Sequence, residues 1–477
     1  MKMNCRYFLR LAALIPILFS ALVTSCSRGY EGWRAGCAKV KITPEESVWM
    51  AGYASRNHPS EGVRQDLWAK ALALEDASGS RAVIVTMDIL SIPKIFSDNV
   101  RDELAERYGL SRAQVILNVS HTHSGPVLYG DLPHLYPLSE EEEDVVISYT
   151  DLLGEKLITL VGDALKDLGP ARLSSGSGVV RFAVNRRNNI EKQLTPMSEL
   201  HGPSDHSVPV LKVEDAKGNL RAVLFGYACH NTVILDYEFC GDYAGYAQQE
   251  LETAYSGYTA RNGVKTAAKG AQAMFFQGCG ADQNPLPRRK VSLAVQYGRD
   301  LAVAVDQALE SDMRPLDPVL TTRYCELDLP FDKIASDEEL HELAEGDNYK
   351  ARWAREMLNR KAAGETFPDK YPYPIQYWQL GDQKIFTLGG ETVVEFALRF
   401  KETFGEDAFV MGYCNDVMSY IPSETVWDEG RYEGANAHFV YNLPARWQRD
   451  ALPLILGAAK ELTTDNEPVK RPTKPLR

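Results

Sequence analysis

Two histidines separated by one residue, His121 and His123, follow an apolar run in the segment ILNVSHTHSGPVLYG (116–130). The residues before them, AQVILNVS, are rich in β-branched and apolar side chains, a composition typical of a buried strand. Because side chains at positions i and i+2 of a strand point to the same side, the pattern predicts that both imidazoles project together from the strand end. Such a pair can bind one metal ion, but it also occurs as hydrogen-bonded structural histidines.

Three further segments place polar groups where regular elements are predicted to end. His230 terminates the apolar run of AVLFGYACHNTVI, and Glu391 opens a predicted helix after the Gly-Gly turn of LGGETVVEF. Tyr420 and Tyr432 lie in the loop NDVMSYIPSETVWDEGRYEGANA. Zinc binds imidazole nitrogen and carboxylate oxygen, and catalytic zinc sites leave a position for water. Each residue also has a structural interpretation: a hydrogen-bonded histidine, a glutamate stabilised by the helix dipole, and packed loop tyrosines.

The elements that must position these residues alternate between strands and helices. Apolar runs predict strands at 81–90, 113–120, 171–182, 209–214, 220–229 and 271–277. Helical periodicity predicts helices at 96–108, 141–168, 242–255, 291–309, 391–404 and 445–462. Between 315 and 390 lie an alternating strand, charged helical stretches at 336–362 and two strands joined by a Gly-Asp turn. This order predicts an α/β fold, a layered domain with mixed β-sheets flanked by helices.

The two ends of the sequence are predicted to lie outside this domain. Residues 1–26 combine a basic start, an apolar stretch and VTSCSRG, which resembles a bacterial lipobox. We interpret Cys26 as the lipidated residue, which predicts a lipid anchor in the bacterial cell envelope, facing the periplasm or the cell surface. An ordinary cleaved signal peptide is the alternative. Residues 27–36 are predicted to be a tether, 37–462 one catalytic unit and 463–477 a disordered tail.

The overall charge excludes one class of partner. The sequence carries a formal net charge of −13, whereas nucleic-acid binding needs clustered lysine and arginine. The cysteines beyond Cys26 show no CxxC spacing, so we predict no particular disulfide. We infer no protein partner from the sequence.

Six segments, taken together and in order, resemble the neutral ceramidase family. They are NVSHTHSGP, ACHNT, GDYAGYA, QGCGADQNP, LGGETVVEFALR and YIPSETVWDEGRYEGA, and the resemblance spans 35–460. The family uses one zinc ion to hydrolyse an amide bond. The resemblance therefore implies a ceramidase-like, zinc-dependent amidohydrolase that holds one zinc per chain and acts on a lipid or other small N-acyl substrate.

The resemblance also implies roles for individual residues. The zinc ligands would be His121, His123, His230 and Glu391, with Tyr420 also at the metal. Tyr432, twelve residues after Tyr420, would donate a hydrogen bond to the developing oxyanion. Arg186 or Arg187, in the segment NRR, would contact the substrate.

One family motif differs in this sequence. A family serine in GDxSPN is proposed to act at the scissile carbonyl, and the matching text GADQNP has Asn284 at that place. Because an amide is not a nucleophile, we expect attack by a water whose pKa the metal lowers toward about 7. Asp282 and Asn284 would orient the site. Asp88, which ends a predicted strand, is either a partner that orients a ligand histidine or a helix N-cap or turn residue. The sequence does not identify the general acid.

The substrate is left open by the sequence. Family members carry a C-terminal β-domain after the catalytic domain, and we expect no counterpart of it here. The substrate is then an N-acyl lipid or a related amide, with ceramide as one case. One alternative is an envelope esterase or deacetylase that acts on glycans or small metabolites. Another is a surface lipoprotein that binds a ligand without turnover, although such a protein has no need of a metal-water site.

Overall fold

The computed structural model describes residues 31–191, 195–257, 265–266 and 270–464. The predicted signal peptide, the predicted lipidation site Cys26 and residues 465–477 of the predicted tail lie outside the described residues. The prediction of a tether at 27–36 is wrong at its end, because the first strand begins at Trp33, whose side chain is 2% exposed. The last helix runs to Thr463, one residue into the predicted tail.

A large mixed sheet forms the centre of the fold. Its strands are β1 (Trp33–Lys41), β3 (Trp68–Glu75), β4 (Arg81–Met87), β5 (Val115–Val119), β6 (Gly169–Val179), β8 (Ser207–Asp215), β9 (Leu220–Tyr227), β11 (Gln272–Gln277) and β13 (Arg314–Pro315). The strand order is β11-β9-β8-β6-β1-β3-β4-β5, and β13 pairs with β6. The pairs β4–β5 and β9–β11 are parallel, whereas the other pairs of this sheet are antiparallel.

A second sheet packs against the first. Its order is β14 (Leu320–Pro330), β15 (Lys370–Leu380), β16 (Gln383–Leu388) and β18 (Phe409–Met411). Short pairs complete the strands: β2 (Gly62–Val63) with β10 (Glu238–Phe239), β7 (Ala183–Asn185) with β12 (Gln283–Pro285), and β17 (Glu391–Thr392) with β19 (Tyr420–Ile421). The last pair matters most here, because it joins two residues predicted to lie at the metal.

Helices cover the outer faces of both sheets. They are α1 (Lys94–Tyr108), α2 (Glu140–Lys166), α3 (Asp242–Ala254), α4 (Val291–Glu310), α5 (Asp337–Leu343), α6 (Tyr349–Ala362), α7 (Val394–Phe404), α8 (Glu424–Glu429) and α9 (Ala451–Thr463). Alternate residues of β3 show the layering: Ala71 and Ala73 pack under the helices, whereas Leu72 and Leu74 pack against the second sheet. The predicted layered α/β fold with mixed sheets flanked by helices is confirmed.

Two predicted helix starts are wrong for identifiable reasons. Glu391 does not open a helix but lies in β17, and α7 begins at Val394, whose N–H donates to Asp282 Oδ1 at 2.9 Å. The final helix begins at Ala451 rather than 445, because the chain around Trp447 runs alongside Phe331 as a bridge. No helix among the described residues is both long and apolar enough to cross a membrane.

Candidate metal centre

His121 and His123 lie in the turn after β5 rather than on the strand. β5 ends at Val119, and His121 has a φ of 59°, a left-handed conformation that is uncommon outside glycine. Strand alternation is therefore not what brings the two imidazoles together. The turn does so, and it leaves their Nε2 atoms 3.2 Å apart. Backbone strain of this kind persists only where the surroundings hold it, often at functional sites.

The surroundings that hold this turn come from the segment after β9. Thr122 Oγ1 donates to Cys240 O at 2.7 Å, and His123 N donates to Asn231 O at 3.2 Å. Asn231 Nδ2 in turn donates to Ser120 O at 2.5 Å. Asn231, the residue after His230, is thus hydrogen-bonded to a residue on each side of Thr122.

His230 reaches the same point because the two outer strands of the large sheet meet. Gln277 N on β11 donates to Asn118 Oδ1 on β5 at 2.9 Å, and Asn118 Nδ2 donates to Gly412 O at 2.8 Å. His121, His123 and His230 consequently form a buried group whose ligand atoms lie within 4.8 Å of one another. This group is able to hold a metal ion.

Glu391 completes the group. Its Oε2 lies 3.2 Å from His121 Nε2 and 3.3 Å from His230 Nε2, and its side chain is 2% exposed. Burial alone would raise the pKa of this carboxyl, but the imidazoles of His121 and His230 beside it hold that pKa well below its usual range. The Glu391 carboxylate is therefore ionised and faces the imidazoles.

Two tyrosines that the sequence did not single out fix the orientation of Glu391. Tyr441 OH donates to Glu391 Oε1, and Tyr413 OH lies 3.4 Å from Oε2. Tyr413 has a φ of 54°, and its ring centroid lies 4.6 Å from that of His121. Neither residue belongs to a recognisable sequence pattern, so only their contacts reveal them.

Backbone carbonyls fix the tautomers of two of the histidines. Nδ1 of His121 lies 2.8 Å from Leu90 O, and Nδ1 of His230 lies 2.7 Å from Gly280 O. Since a carbonyl only accepts, each Nδ1 carries a proton, and the Nε2 atom of the neutral imidazole then presents a lone pair. Burial and the charge of Arg186 lower the pKa of His230 to about 4, which keeps its imidazole neutral at pH 7.

The resulting donor set fits a divalent metal ion. The lone pairs of His121 Nε2 and His230 Nε2 converge on the carboxylate oxygen of Glu391, and lone pairs that face one another repel unless a cation lies between them. Neutral imidazoles held by second hydrogen bonds, together with one carboxylate, are the usual ligands of a catalytic metal in proteins.

Gly52 gives His123 its space. A Cβ atom at this position would lie 2.4 Å from His123 Nδ1, and Gly52 has a φ of 99°. Both the close approach and the backbone conformation therefore require glycine. On its other side the His123 ring contacts Tyr53, with ring centroids 4.7 Å apart.

Asp88 does not orient a histidine, so that part of the sequence-based prediction is wrong. Its Oδ2 accepts from Trp68 N at 3.0 Å, and its Oδ1 accepts from Gln248 Nε2 at 3.2 Å. The strand end instead contributes the carbonyl of Leu90, two residues further on. The Leu90 carbonyl orients His121 without placing a charge in the interior. A pattern of side chains does not predict such a contact, because it is made by the backbone.

Tyr420 lies directly beside the metal group. Glu391 and Tyr420 are register partners in the β17–β19 pair, and Tyr420 OH lies 3.3 Å from His230 Nε2. The Tyr432 ring centroid lies 5.1 Å from that of Tyr420. Tyr432 is 38% exposed and Tyr420 5% exposed, so Tyr432 forms the solvent-facing side of the site.

The structure distinguishes the two candidate arginines. Arg186 Nη2 donates to Tyr420 OH at 3.2 Å, and Arg186 Nε donates to Glu433 Oε1 at 2.9 Å. Arg187 instead donates to Glu429 at 2.7 Å and to Glu433 at 2.5 Å. Arg186 therefore faces the site, whereas Arg187 fixes the segment that carries Tyr432.

Asp282 and Asn284 act on the site through these neighbours. Asp282 accepts from Val394 N at 2.9 Å and from Asn185 Nδ2 at 3.0 Å, and its carbonyl accepts from Arg186 N at 2.8 Å. Asn284, on β12, places its Oδ1 3.5 Å from Arg186 Nη1. Both residues thus contact Arg186, and their role in orienting the site stays a prediction.

Comparison with known proteins shows to which family this chain belongs. The sequence model described as "Neutral/alkaline non-lysosomal ceramidase, N-terminal" matches residues 33–286, more than half of the chain. This chain belongs to that family. His121, His123, His230, Asp282 and Asn284 lie within the matched residues, whereas Glu391 and both site tyrosines lie beyond them.

Individual family members are related at moderate identity. The neutral ceramidase of Pseudomonas aeruginosa is 29% identical over 235 residues, which cover 46% of this chain and 33% of that protein. Neutral ceramidase B of Dictyostelium discoideum is 26% identical over 272 residues, 55% of this chain and 37% of that protein. These alignments thus span little more than a third of the relatives' own length.

Solved structures extend the likeness to most of the fold. The crystal structure of the Pseudomonas aeruginosa neutral ceramidase matches with a TM-score of 0.67 at 21% identity, covering 93% of this chain and 77% of that one. A structure described as ceramidase complexed with C2 matches with a TM-score of 0.68 at 20% identity, covering 94% and 78%. At these identities the likeness shows a common fold.

Proposed function

We propose that this chain is a zinc-dependent amidohydrolase that binds one zinc ion and cleaves an N-acyl amide by means of a metal-activated water. Ceramide or a related N-acyl lipid is the proposed substrate class. The observation that carries the proposal is the convergence of His121 Nε2, His230 Nε2 and Glu391 Oε2 within 3.3 Å contacts, beside His123. Membership of the ceramidase family supports the reaction type.

The proposed zinc ligands are His121, His123, His230 and Glu391, with Tyr420 adjacent to them. When bound, zinc would supply Lewis-acid polarisation of a carbonyl and lower the pKa of a water molecule. The chain contributes imidazoles, an ionised carboxylate and a buried setting in which charges interact strongly.

Arg186 and Tyr432 are proposed to stabilise the substrate oxygen as it gains negative charge. Burial lowers the pKa of Arg186, but the Tyr420 hydroxyl and the Glu433 carboxylate beside it raise that pKa well above its ordinary value, so the guanidinium stays positive. Tyr432 presents a phenol on the exposed side of the site, where its hydroxyl is able to donate. Hydrogen-bond donors placed where charge develops are commonly worth about a hundredfold or more in rate.

Asn284 is proposed to position rather than to attack. Its carboxamide lies against the Arg186 guanidinium, and a carboxamide has no nucleophilic oxygen at neutral pH. Asn284→Ser, which introduces a hydroxyl, should therefore leave the reaction dependent on the metal.

The test begins with metal content and ends with a substrate panel. The full chain is purified, its bound zinc is measured, and ceramide, simple N-acyl amides and acetyl esters are offered as substrates. We expect about one zinc per chain and amide cleavage that His121→Ala abolishes together with the zinc. His201→Ala, an exposed histidine that hydrogen-bonds through its backbone, is the matched control. Ester cleavage without amide cleavage would replace this proposal by an esterase or deacetylase.

We also propose that Cys26 is lipidated and anchors the protein in the bacterial cell envelope. The lipobox-like VTSCSRG after an apolar stretch supports this proposal. Radiolabelled palmitate should enter the wild-type protein and not Cys26→Ser. Equal labelling of both proteins would contradict the proposal.

A further inference from the structure

Arginines outnumber the carboxylates that pair with them around the metal centre. Arg187 and Arg186 share Glu433, and Arg187 also binds Glu429. On the other side, Arg288 donates to both carboxylate oxygens of Glu191. A further cation, Arg289, lies next to the Arg288–Glu191 pair.

Arg289 makes only a long contact with the Glu191 carboxylate. Its Nε lies 3.8 Å from Glu191 Oε1, an oxygen to which Arg288 donates at 2.5 Å. The Arg289 side chain is 35% exposed, compared with 11% for Arg288. Arg289 therefore keeps most of its hydrogen-bonding capacity for a further anion, since a guanidinium has five N–H donors.

One aromatic ring separates this guanidinium from the metal centre. Arg289 Nη1 donates to Tyr53 OH at 3.1 Å, and its guanidinium carbon lies 5.2 Å from the centre of the Tyr53 ring. The same ring contacts His123, the most exposed of the three histidines at 9%. Arg289 thus lies one aromatic ring away from His123, the least buried histidine of the group.

The backbone holds Arg289 in this place. Its φ is 80°, and its N–H donates to Val233 O at 2.7 Å. Tyr53 OH donates to the carbonyls of Thr232 and Ile234, so both residues are fixed to the segment that follows His230. A strained residue held by its surroundings beside a reactive centre is a candidate for ligand contact.

We propose that Arg289 binds an anionic group on the amine side of the substrate. This inference rests on the proposed amide hydrolysis and narrows its substrate class to N-acyl amides whose amine part carries a carboxylate or sulfonate. The amine side is assigned because the acyl part of an N-acyl lipid is a hydrocarbon chain. A guanidinium recognises a carboxylate or sulfonate through charge-assisted hydrogen bonds that a neutral alcohol head group cannot replace.

A matched series of amides tests the inference. N-lauroyltaurine, N-lauroylglycine and N-lauroylethanolamine share one acyl chain, and only the last has a neutral head group. With the zinc-loaded full chain, kcat/KM for the two anionic amides should exceed that for the ethanolamide by roughly ten- to hundredfold. A sulfonate preference over a carboxylate would further define the anion.

Variants of Arg289 and Arg288 test which residue causes the preference for anionic amides. Arg289→Gln should reduce the ratio of anionic to neutral kcat/KM at least about tenfold, mainly through KM, and Arg289→Lys should retain part of it. Arg288→Gln is the control, because its guanidinium is engaged by Glu191, and the ratio should persist. Circular dichroism confirms that each variant is folded.

The outcomes separate two kinds of failure. Equal cleavage of all three amides, or a ratio unchanged in Arg289→Gln, would overturn the inference and leave the amidohydrolase proposal standing. Failure of the zinc-loaded chain to cleave any of the three, while it hydrolyses ceramide, would also overturn the inference alone. Cleavage of no amide at all would overturn the proposed function and the inference with it.

Discussion

Two buried polar clusters lie near the same end of neighbouring strands in the large sheet, and they are built in opposite ways. In the first, three imidazoles and Glu391 direct acceptor atoms at one another. In the second, Lys70 donates to Glu252 Oε1 and to Ala273 O, both at 2.8 Å, while Asp88 accepts from Trp68 and Gln248. The first cluster presents acceptors to acceptors, whereas the second pairs every named charge with a partner.

The difference between the two clusters shows under which condition a buried polar group is tolerated. Lys70 is 3% exposed and Asp88 4% exposed, so the second cluster is as buried as the first. Buried charges are tolerated when donors and acceptors satisfy one another, and the lysine cluster meets that condition with protein atoms alone. The histidine cluster would meet it with a metal ion bound at its centre. Burial by itself therefore does not distinguish a reactive site from a structural one.

Removing one imidazole should have the largest effect. His121→Ala takes away a proposed ligand nitrogen and leaves Glu391 without its nearest imidazole. Bound zinc should fall from about one per chain to near zero, and amide cleavage should fall at least about a thousandfold, because the ion supplies several kcal/mol of charge stabilisation. Metal analysis and kinetics of the same preparation check this. Retention of stoichiometric zinc would contradict the metal-centred interpretation.

Breaking the lysine cluster should instead reduce stability. Lys70→Met leaves Asp88 and one oxygen of Glu252 without their buried cation, which should lower the free energy of unfolding by roughly 3 kcal/mol. Zinc content per folded chain should stay the same. Urea unfolding provides the measurement, and the double variant Lys70→Met, Glu252→Gln should lose less than the single one. A loss of zinc in a folded Lys70→Met protein would show that the clusters are not independent.

Asp131 sharpens the comparison, because it is a buried carboxyl with no ion-pair partner in the part of the chain that the structure describes. Its side chain is 6% exposed, its Oδ2 has no hydrogen-bond partner among the described residues, and burial raises its pKa to about 7. The folded metal-free chain therefore binds a proton that the unfolded chain releases between about pH 4 and 7. Stability from this group increases as the pH falls through 7 and is absent above it.

Asp131→Asn should remove that pH dependence. In the metal-free protein, the variant should be more stable than the wild type by about 2 kcal/mol at pH 8, with the difference shrinking toward pH 5. Thermal unfolding across this pH range measures it. Parallel curves for the two proteins would show that the Asp131 carboxyl is not the group that titrates.

Tyr441 should produce the smallest of these effects. Tyr441→Phe removes the hydroxyl that donates to Glu391 Oε1 but leaves every predicted ligand in place. Partners of this kind commonly contribute about ten- to a hundredfold in metal affinity. Competition with a chelator measures the change. Tyr371→Phe, which removes a hydroxyl bound to Asp416 at 2.7 Å, is the matched control and should leave zinc affinity unaltered.

The sequence predicted most elements of the fold but not their ends. The amphipathic run at 141–168 is helix α2, and the apolar run at 271–277 is β11. The errors arise where a distant group determines the local structure. Asp282, more than a hundred residues away, accepts from the first N–H of α7, so the helix begins three residues after Glu391. Trp33 belongs to β1 because it pairs with Ala171 on the neighbouring strand β6.

The candidate site divides in the same way. The sequence identified residues whose chemistry is recognisable in isolation, such as the histidine pair and Glu391. It missed Tyr413 and Tyr441 and misplaced Asp88, because an orienting partner is defined by a contact rather than by a pattern. It also left Arg186 and Arg187 equivalent, although only Arg186 reaches Tyr420.

The sequence by itself determined the supply of metal-binding side chains and the alternation of apolar segments that builds a layered α/β fold. The tertiary structure alone decided that β5 and β11 meet, through Gln277 and Asn118, and so brought His121 and His230 to one point. The physical reason is the distance along the chain over which each property acts. Periodicity and residue type act over a few neighbouring positions, whereas a metal centre requires atoms from distant segments to converge within a few ångströms.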